Sequence, residues 1–162
     1  LDKAEASLTP EGATPLRPAA RPEPSRPTTE AAPVHRVAAG LLVADGLVLL
    51  GHRHPQRRHY PDCWDAVGGH IEPGETPMEA LVRECREEIG VVVTRARPVD
   101  LPVTMEDLEL HAFVVVAWEG TPANLEPDEH DAIGWFGADE VPGLRLAHPA
   151  LGELIAVVVR PG

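Results

Sequence analysis

The sequence has few cysteines and aromatic residues, and it has no long apolar run. Two cysteines, Cys63 and Cys85, are too few for a disulfide framework and lack the paired spacing of a metal site, so we expect both to be reduced. The longest glycine-free apolar run, residues 112–118, fits a buried strand and is far too short for a membrane span. The first residues, LDKAEASLTP, lack the basic-then-apolar pattern of a secretory signal. These absences predict a cytoplasmic protein without a membrane partner.

An excess of basic charge is also missing. The chain carries 14 Lys and Arg residues against 26 Asp and Glu residues, a formal net charge of -12. Residues 1–33 hold five acids and four bases, which leaves 21 acids and 10 bases in residues 34–162. Such an acidic surface repels nucleic acid and anionic membranes, so we expect neither as a partner. A polyanionic small substrate could still bind, but only with cations that neutralise it locally.

The chain divides into two regions of different composition. Residues 1–33 hold seven of the 18 prolines and show no apolar periodicity, so we expect a disordered tail or linker there. Residues 34–162 have the length and apolar content of a single domain with its own core.

Apolar patterning in the second region predicts strands around one long helix. Residues 37–44 and 47–51 flank Asp45-Gly46, a typical hairpin turn. Further strands are predicted at residues 64–67, 91–93, 99–103, 111–118 and 133–136, with a loop at Gly68-Gly69 and a last helix at 149–158. This order predicts an α/β (α+β) domain in which a mixed sheet lies between helices.

The long helix has clear signals at both ends and a stripe of acid along one side. Thr76 suits the N-cap and forms a capping box with Glu79, Pro77 suits the first turn, and Gly90 suits the C-terminal stop. The acidic stripe lies beside the apolar face and consists of Glu84, Glu87 and Glu88. Alone, this stripe fits a solvated acidic face as well as it fits a Mg²⁺ site with oxygen ligands.

Neighbouring residues favour the metal site. Gly68 and Gly69 let the backbone approach a ligand closely. Arg83 can pair with Glu75 or Glu87 and so hold the preceding segment on the helix. These additions turn three glutamates into a candidate site for a metal and a phosphate.

Residues 69–91 follow a recognisable pattern: Gly69, five residues, Glu75, seven residues and then RECREEIGV. This stretch closely resembles the Nudix box of the MutT-like hydrolases. Every charged and glycine position agrees, and the soft departure is Cys85, where a bulkier aliphatic residue is commoner. The order of elements around the box is also similar to the Nudix fold, an α/β/α sandwich with a mixed sheet.

The resemblance implies a reaction and a role for each residue. Water would attack a phosphorus of a nucleoside diphosphate linked to a group X, with Mg²⁺ as cofactor and Mn²⁺ as a substitute. Glu75 and Arg83 would orient the loop and helix, and Gly69 would approach the substrate. The implied metal ligands are Glu84, Glu87, Glu88 and the carbonyl oxygen of Gly68.

Outside the box, the candidates are less specific. Glu129, in the acidic segment 125–131, is our candidate for a general base or a further metal ligand, and His130 is a weaker one; a solvated acidic turn fits equally well. Arg53 is the best phosphate-binding candidate of the basic stretch 52–59, which also suits a solvent-exposed loop.

A zinc pair at His52 and His54 lacks further ligands. A nucleobase could stack on Trp64, Trp118 or Trp135, although all three also suit a core.

The substrate is inferred by exclusion from subfamily markers. Glu106 stands about where ADP-ribose hydrolases of the family have a proline. Hydrolases of dinucleoside polyphosphates tend to have a tyrosine slightly further on, whereas the only tyrosine here, Tyr60, lies upstream of the box. We therefore expect a (d)NTP or a damaged nucleotide such as 8-oxo-dGTP. The alternatives are a non-catalytic module that senses nucleotides and an enzyme like isopentenyl-diphosphate isomerase. Both a monomer and a homodimer remain open.

Overall fold

The computed structural model describes residues 34–103 and 105–159. The elements in chain order are β1 (His35–Ala44), β2 (Leu47–Arg53), β3 (Trp64–Asp65), β4 (Val67–His70), α1 (Pro77–Ile89), β5 (Val92–Val99), β6 (Leu108–Glu119), β7 (His130–Gly137), a 3-10 turn (Val141–Gly143) and α2 (Pro149–Val158). Among these residues, no helix has the length and apolar character needed to cross a membrane. The tail predicted for residues 1–33 lies outside the described residues.

The strands form one mixed sheet with β1 at its centre. The main order is β3-β2-β1-β6-β5, with β4 beside β1 and β7 beside β2. The β1–β6 pair is parallel, whereas the other pairs are antiparallel. The first half of β1 pairs with β4 and its last residues pair with β2. At the predicted hairpin, Asp45 and Gly46 have φ of 53° and 74°, the left-handed geometry that this turn requires.

Each face of the sheet is covered by one helix. Leu41 and Leu42 point to opposite faces, as successive residues of a strand do. The face with Leu42 packs against the apolar side of α1, which consists of Ala80, Leu81, Cys85 and Ile89. The face with Leu41 packs against Leu151 and Ile155 of α2. The predicted α+β sandwich with a mixed sheet between helices is confirmed.

Two details differ from the sequence predictions. Gly68 and Gly69 belong to β4 and not to a loop, because without side chains they can pair closely with β1; a Cβ on Gly68 would overlap the Ala38 carbonyl. The separate strand predicted at residues 99–103 is wrong. Instead β5 runs through the polar residues before Val99 and ends there. As an edge strand, β5 is held by backbone pairing with β6, so its composition does not reveal it.

Candidate active site and metal centre

The site is organised by α1, whose ends are capped as predicted. The Thr76 hydroxyl accepts a hydrogen bond from the Glu79 backbone at 3.1 Å, and the Glu79 carboxylate accepts one from the Thr76 backbone at 2.9 Å. Gly90 ends the helix with φ of 72°. This reciprocal cap satisfies backbone donors that a helix start otherwise leaves unpaired, and it fixes where the helix begins. The directions of the acidic side chains along α1 are therefore set by local sequence.

Arg83 ties the segment before α1 to the helix. Its Nε and Nη2 donate to both carboxylate oxygens of Glu75 at 2.8 and 2.9 Å, and Nη2 also donates to the His70 carbonyl at 2.9 Å. Its Nη1 donates to Glu84 at 2.8 Å and to Glu87 at 3.3 Å. The hydrogen bonds from Arg83 lower the pKa of Glu75 to about 2. These contacts create the arrangement that the orienting roles predicted for Glu75 and Arg83 require.

Glu84 lies against the backbone of β4. A Cβ on Gly69 would be only 2.5 Å from Glu84 Oε1, so only glycine lets the carboxylate approach the strand this closely. Burial raises the pKa of Glu84, although the Arg83 guanidinium opposes that shift. The two glycines of β4 thus have separate tasks, because Gly68 permits strand pairing and Gly69 makes room for a carboxylate.

Glu88 meets Glu129 and His130 at the other end of the acidic stripe. One ligand atom from each of the three residues lies within 4.8 Å of the others. Glu88 and His130 are 2% and 3% exposed. Burial, followed by the contact with Glu129, raises the pKa of Glu88 to about 10, and the hydrogen bond from Glu88 lowers the pKa of Glu129. Without a cation, therefore, burial and the neighbouring carboxylate favour the protonated form of Glu88.

Two buried atoms of this cluster, Glu88 Oε2 and His130 Nδ1, lack a hydrogen-bond partner among the described residues. Buried polar atoms are nearly always paired, and an unpaired one indicates a place for a water or an ion. Carboxylate oxygens are the ligands that Mg²⁺ and Mn²⁺ prefer, and imidazole also binds divalent transition metals. The donor set of the cluster fits a divalent cation.

The segment that carries Glu129 is held in place from two sides. The Leu125 N–H donates to the Glu88 carbonyl at 2.8 Å, so the segment is bonded to the end of α1. The His54 N–H donates to the Glu129 carbonyl at 2.9 Å, which bonds the segment to the loop after β2. These bonds join parts of the chain that are distant in sequence, and sequence patterns contain no signal for them. They place Glu129 next to the Nudix-like helix, as its candidate role requires.

Glu87 lies at the outer rim of the acidic stripe. Its side chain is 53% exposed and contacts Arg83 Nη1. Glu84 accepts from the same nitrogen, so the two carboxylates are neighbours, and the charge of Glu87 contributes to the raised pKa of Glu84. The structure thus brings Glu84, Glu88 and Glu129 together in a partly buried site and leaves Glu87 nearer solvent.

Arg53 is engaged in contacts with its own loop. Its Nε donates to the carbonyls of His59 and Tyr60 at 3.2 and 2.9 Å, and Nη2 donates to His59 at 2.7 Å. Its Nη1 contacts Asp65 at 3.4 Å. These bonds close the loop after β2 around the guanidinium, whose pKa is lowered chiefly by burial. The phosphate-binding role of Arg53 stays a prediction, and the contacts described here are structural.

Arg57 is a residue that sequence reasoning passed over. Its side chain is half-buried, and its charge helps to lower the pKa of Glu129. The Arg57 N–H donates to the His54 carbonyl at 3.0 Å, and His54 is itself bonded to Glu129. The turn therefore places a second arginine of the basic stretch beside the acidic cluster. The composition of residues 52–59 indicated a positively charged side chain at the site without identifying which arginine supplies it.

The tryptophans and cysteines lie largely in the core, which is the alternative to a nucleobase-stacking role for the tryptophans. Trp64 contacts Phe136 edge-on with ring centroids 4.7 Å apart, and Trp118 packs on the α1 side of the core. Trp135 stacks on Trp118 with centroids 6.0 Å apart and is 36% exposed. The two cysteines, Cys63 and Cys85, are free and buried. His52 of the discounted zinc pair instead contacts Asp62 and Asp131.

Comparison with known proteins identifies the family of this chain. The family model of the NUDIX domain matches residues 34–157. The CTP pyrophosphohydrolase of Escherichia coli (strain K12) is 36% identical over 107 residues, which cover 64% of this chain and 76% of that protein. The 8-oxo-dGTP diphosphatase of Proteus vulgaris is 31% identical over 100 residues, covering 62% and 71%.

The fold comparison agrees with the sequence comparison. The MutT NUDIX hydrolase of Burkholderia pseudomallei superposes with a TM-score of 0.66 at 26% identity, over 80% of this chain and all of that one. Of the residues that form the pattern, Gly69 lies in β4, Glu75 lies in the segment before α1, and the acidic residues of the stripe lie with Arg83 in α1. This chain belongs to the Nudix family and is a pyrophosphohydrolase that acts on acid anhydrides.

Proposed function

We propose that the enzyme hydrolyses a nucleoside triphosphate to a nucleoside monophosphate and pyrophosphate, with Mg²⁺ as cofactor and Mn²⁺ as a substitute. The substrate is a normal (d)NTP or a damaged nucleotide such as 8-oxo-dGTP. Two relatives support this class, because their names specify CTP and 8-oxo-dGTP, which are both nucleoside triphosphates. The acidic character of residues 34–162 also supports a cation between enzyme and substrate.

The buried carboxyl group of Glu88 beside Glu129 is the observation that carries the proposal. Placing like charges together in a buried site is unfavourable unless a proton or a cation neutralises them. Arg83 neutralises Glu75 and Glu84, but it makes no contact with Glu88 or Glu129 in the described part of the chain. A divalent cation is the partner whose charge fits this end of the stripe. Its proposed ligands are Glu84, Glu87, Glu88, the Gly68 carbonyl and, as a further one, Glu129.

The mechanism divides the work between the ion and the protein. Bound Mg²⁺ supplies charge neutralisation on the phosphates and Lewis acidity toward water. Arg83 holds Glu84 and Glu87 side by side through Nη1, which would preserve the ligand geometry when substrate binds. Glu129, which lies beside Glu88 in the cluster, is the candidate to accept a proton from the attacking water. Water adds to phosphorus, the anhydride P–O bond breaks, and pyrophosphate leaves.

Product analysis on a nucleotide panel tests this function. The protein is incubated with CTP, dCTP, GTP, 8-oxo-dGTP and ADP-ribose, with Mg²⁺ and with EDTA, and products are separated by anion exchange. We expect a monophosphate and pyrophosphate from one triphosphate, in a Mg²⁺-dependent reaction. Hydrolysis in ¹⁸O-labelled water then identifies which phosphorus is attacked, because the label appears in only one product.

Matched variants assign the reaction to the proposed site. Glu84→Gln is expected to lower kcat by several orders of magnitude, whereas Glu153→Gln on the exposed side of α2 is expected to keep wild-type turnover. Retained turnover in Glu84→Gln would remove Glu84 from the metal site. Tight nucleotide binding without turnover of any compound would replace the proposal by the sensing module.

A further inference from the structure

His130 is a buried residue that lies beside two carboxylates of the site. It is 3% exposed, and its Nδ1 has no hydrogen-bond partner among the described residues. One of its ring nitrogens lies within 4.8 Å of carboxylate oxygens of both Glu88 and Glu129. A buried imidazole normally pairs both ring nitrogens with protein groups or water, so the unpaired Nδ1 indicates a place for a water or an ion.

Gly51 of β2 makes the space in which the ring lies. A Cβ on Gly51 would be 2.6 Å from His130 Cδ2 and 2.9 Å from Nε2, closer than real contacts allow. The Cδ2–Nε2 edge of the ring therefore packs on the Gly51 backbone, and Nδ1 lies on the other side of the ring. Any larger residue at position 51 would push the imidazole out of its place.

The backbone of His130 is fixed as firmly as its ring. Its N–H donates to the Glu126 carbonyl at 3.0 Å, and its C=O accepts a hydrogen bond from Asn124 Nδ2 at 2.6 Å. The neighbouring Glu129 carbonyl accepts a bond from His54. Because the backbone is bonded through both its N–H and its C=O and the ring is buried, the position of the imidazole near Glu88 belongs to the fold and does not depend on a mobile surface side chain.

We propose that His130 donates an imidazole nitrogen directly to the divalent ion held by Glu88 and Glu129, with Gly51 as the residue that seats the ring. This inference rests on the proposed metal site and extends it from an all-oxygen site to a mixed one. Imidazole favours transition metals over Mg²⁺. The site is therefore expected to bind Mn²⁺ more tightly than Mg²⁺ by a margin that His130 sets.

Pulsed electron paramagnetic resonance on the Mn²⁺-loaded full chain measures the nitrogen without relying on catalysis. We expect echo modulation from a directly bound ¹⁴N in the wild type, and replacement of that modulation when the protein contains ¹⁵N-histidine. His130→Gln should abolish the nitrogen signal. Gly51→Ala, which displaces the ring without removing it, should weaken the signal. His111→Gln is the matched control, because His111 contacts Glu109 on β6 and should leave the spectrum unchanged.

Metal affinity gives a second measurement. Titration calorimetry should show that His130→Gln weakens Mn²⁺ binding about tenfold or more and weakens Mg²⁺ binding less. Substitution of residues that support a metal site typically changes metal affinity by this much. A folded wild type that binds Mn²⁺ without a directly bound nitrogen would overturn the inference. So would a nitrogen signal that persists in folded His130→Gln.

The same samples separate this inference from the proposed function. If Mn²⁺ binding depends on Glu88 and Mg²⁺-dependent hydrolysis occurs, but no nitrogen is bound, only the His130 assignment fails. If Glu88→Gln binds Mn²⁺ as the wild type does, the proposed metal site itself fails. The ¹⁵N-histidine experiment uses the unmutated protein, so the inference stays testable even if the His130 variant does not fold.

Discussion

The two ends of the acidic stripe on α1 differ in how their charge is compensated. At one end Arg83 binds Glu75, Glu84 and Glu87 through well-formed hydrogen bonds. At the other end Glu88 is more deeply buried and meets another carboxylate, Glu129, without a basic hydrogen-bond partner among the described residues. The arginine end is complete as a protein structure, whereas the Glu88 end is complete only with a proton or an added cation. The difference indicates the end of the stripe at which a cation would complete the site.

Glu88→Gln should have the largest effect, because it removes a proposed ligand from the uncompensated end. We expect kcat/KM to fall about a thousandfold or more. The metal-free variant should be at least as stable at pH 8 as the wild type, since a neutral amide replaces a group that burial keeps protonated. Steady-state kinetics and urea unfolding measure the two quantities. A large loss of both activity and metal-free stability would make Glu88 a structural residue.

Arg83→Gln tests the compensated end. Losing this guanidinium leaves Glu84 and Glu87 free to turn away from the site, so activity should fall about 10–100-fold, the usual effect of disturbing groups that orient metal ligands. The midpoint of urea unfolding should fall as well. Arg86→Gln, on the exposed side of the same helix, is the control. Equal effects of the two substitutions would show that Arg83 acts only through general helix charge.

Gly69→Ala tests whether the close approach of the Glu84 carboxylate to β4 matters for metal binding. The added methyl group would meet the Glu84 carboxylate at 2.5 Å and push it from β4, so Mg²⁺ affinity should fall about tenfold. Gly143→Ala is a matched control, because nothing lies within 4 Å of its added Cβ and its φ is not positive. Isothermal titration with Mg²⁺ compares the two. Unchanged affinity in Gly69→Ala would show that Glu84 binds metal from elsewhere or not at all.

The stability of the metal-free protein should also depend on pH. Glu88 has a pKa of about 10 in the folded protein against 4.5 when exposed, so its contribution is fully present below pH 4.5 and is lost as pH rises toward 10. The stability of the metal-free wild type should therefore fall between pH 5 and pH 9 by at most about 1.4 kcal/mol per pH unit. Glu88→Gln and saturating Mg²⁺ should each flatten the slope. Urea unfolding at several pH values, with EDTA or Mg²⁺, checks this.

Local sequence was sufficient for the compensated end and insufficient for the other. The caps of α1 and the Arg83–Glu75 pair depend on residues within one helix and its preceding segment, and the structure has them as expected. The burial of His130 depends on Gly51, which is far away in the chain, so no local pattern indicates it. The end of the site that contains His130 therefore depends on long-range packing, because such packing determines which residues are buried.

The remaining errors have the same physical origin. The strand at Gly68-Gly69 has no side chains from which a period of two could be read, so it resembled a loop. The edge strand β5 is held by backbone bonds to β6, and its arginines and threonine gave no apolar alternation. Arg53 is not one of these errors, because its phosphate-binding role stays a prediction; its bonds to the carbonyls of its own loop could be seen only in three dimensions.

The parallel pairing of β1 with β6 has a consequence for how the molecule acquires activity. These strands lie on opposite sides of α1 in the chain, so their pairing closes a long loop and is expected to be a slow step of folding. The capped helix can form early from local interactions, but Glu129 follows β6 and reaches Glu88 only after that loop has closed. A partly folded chain would thus display the acidic helix without its counterpart. Newly made enzyme should gain tight metal binding in the same kinetic phase as its central sheet.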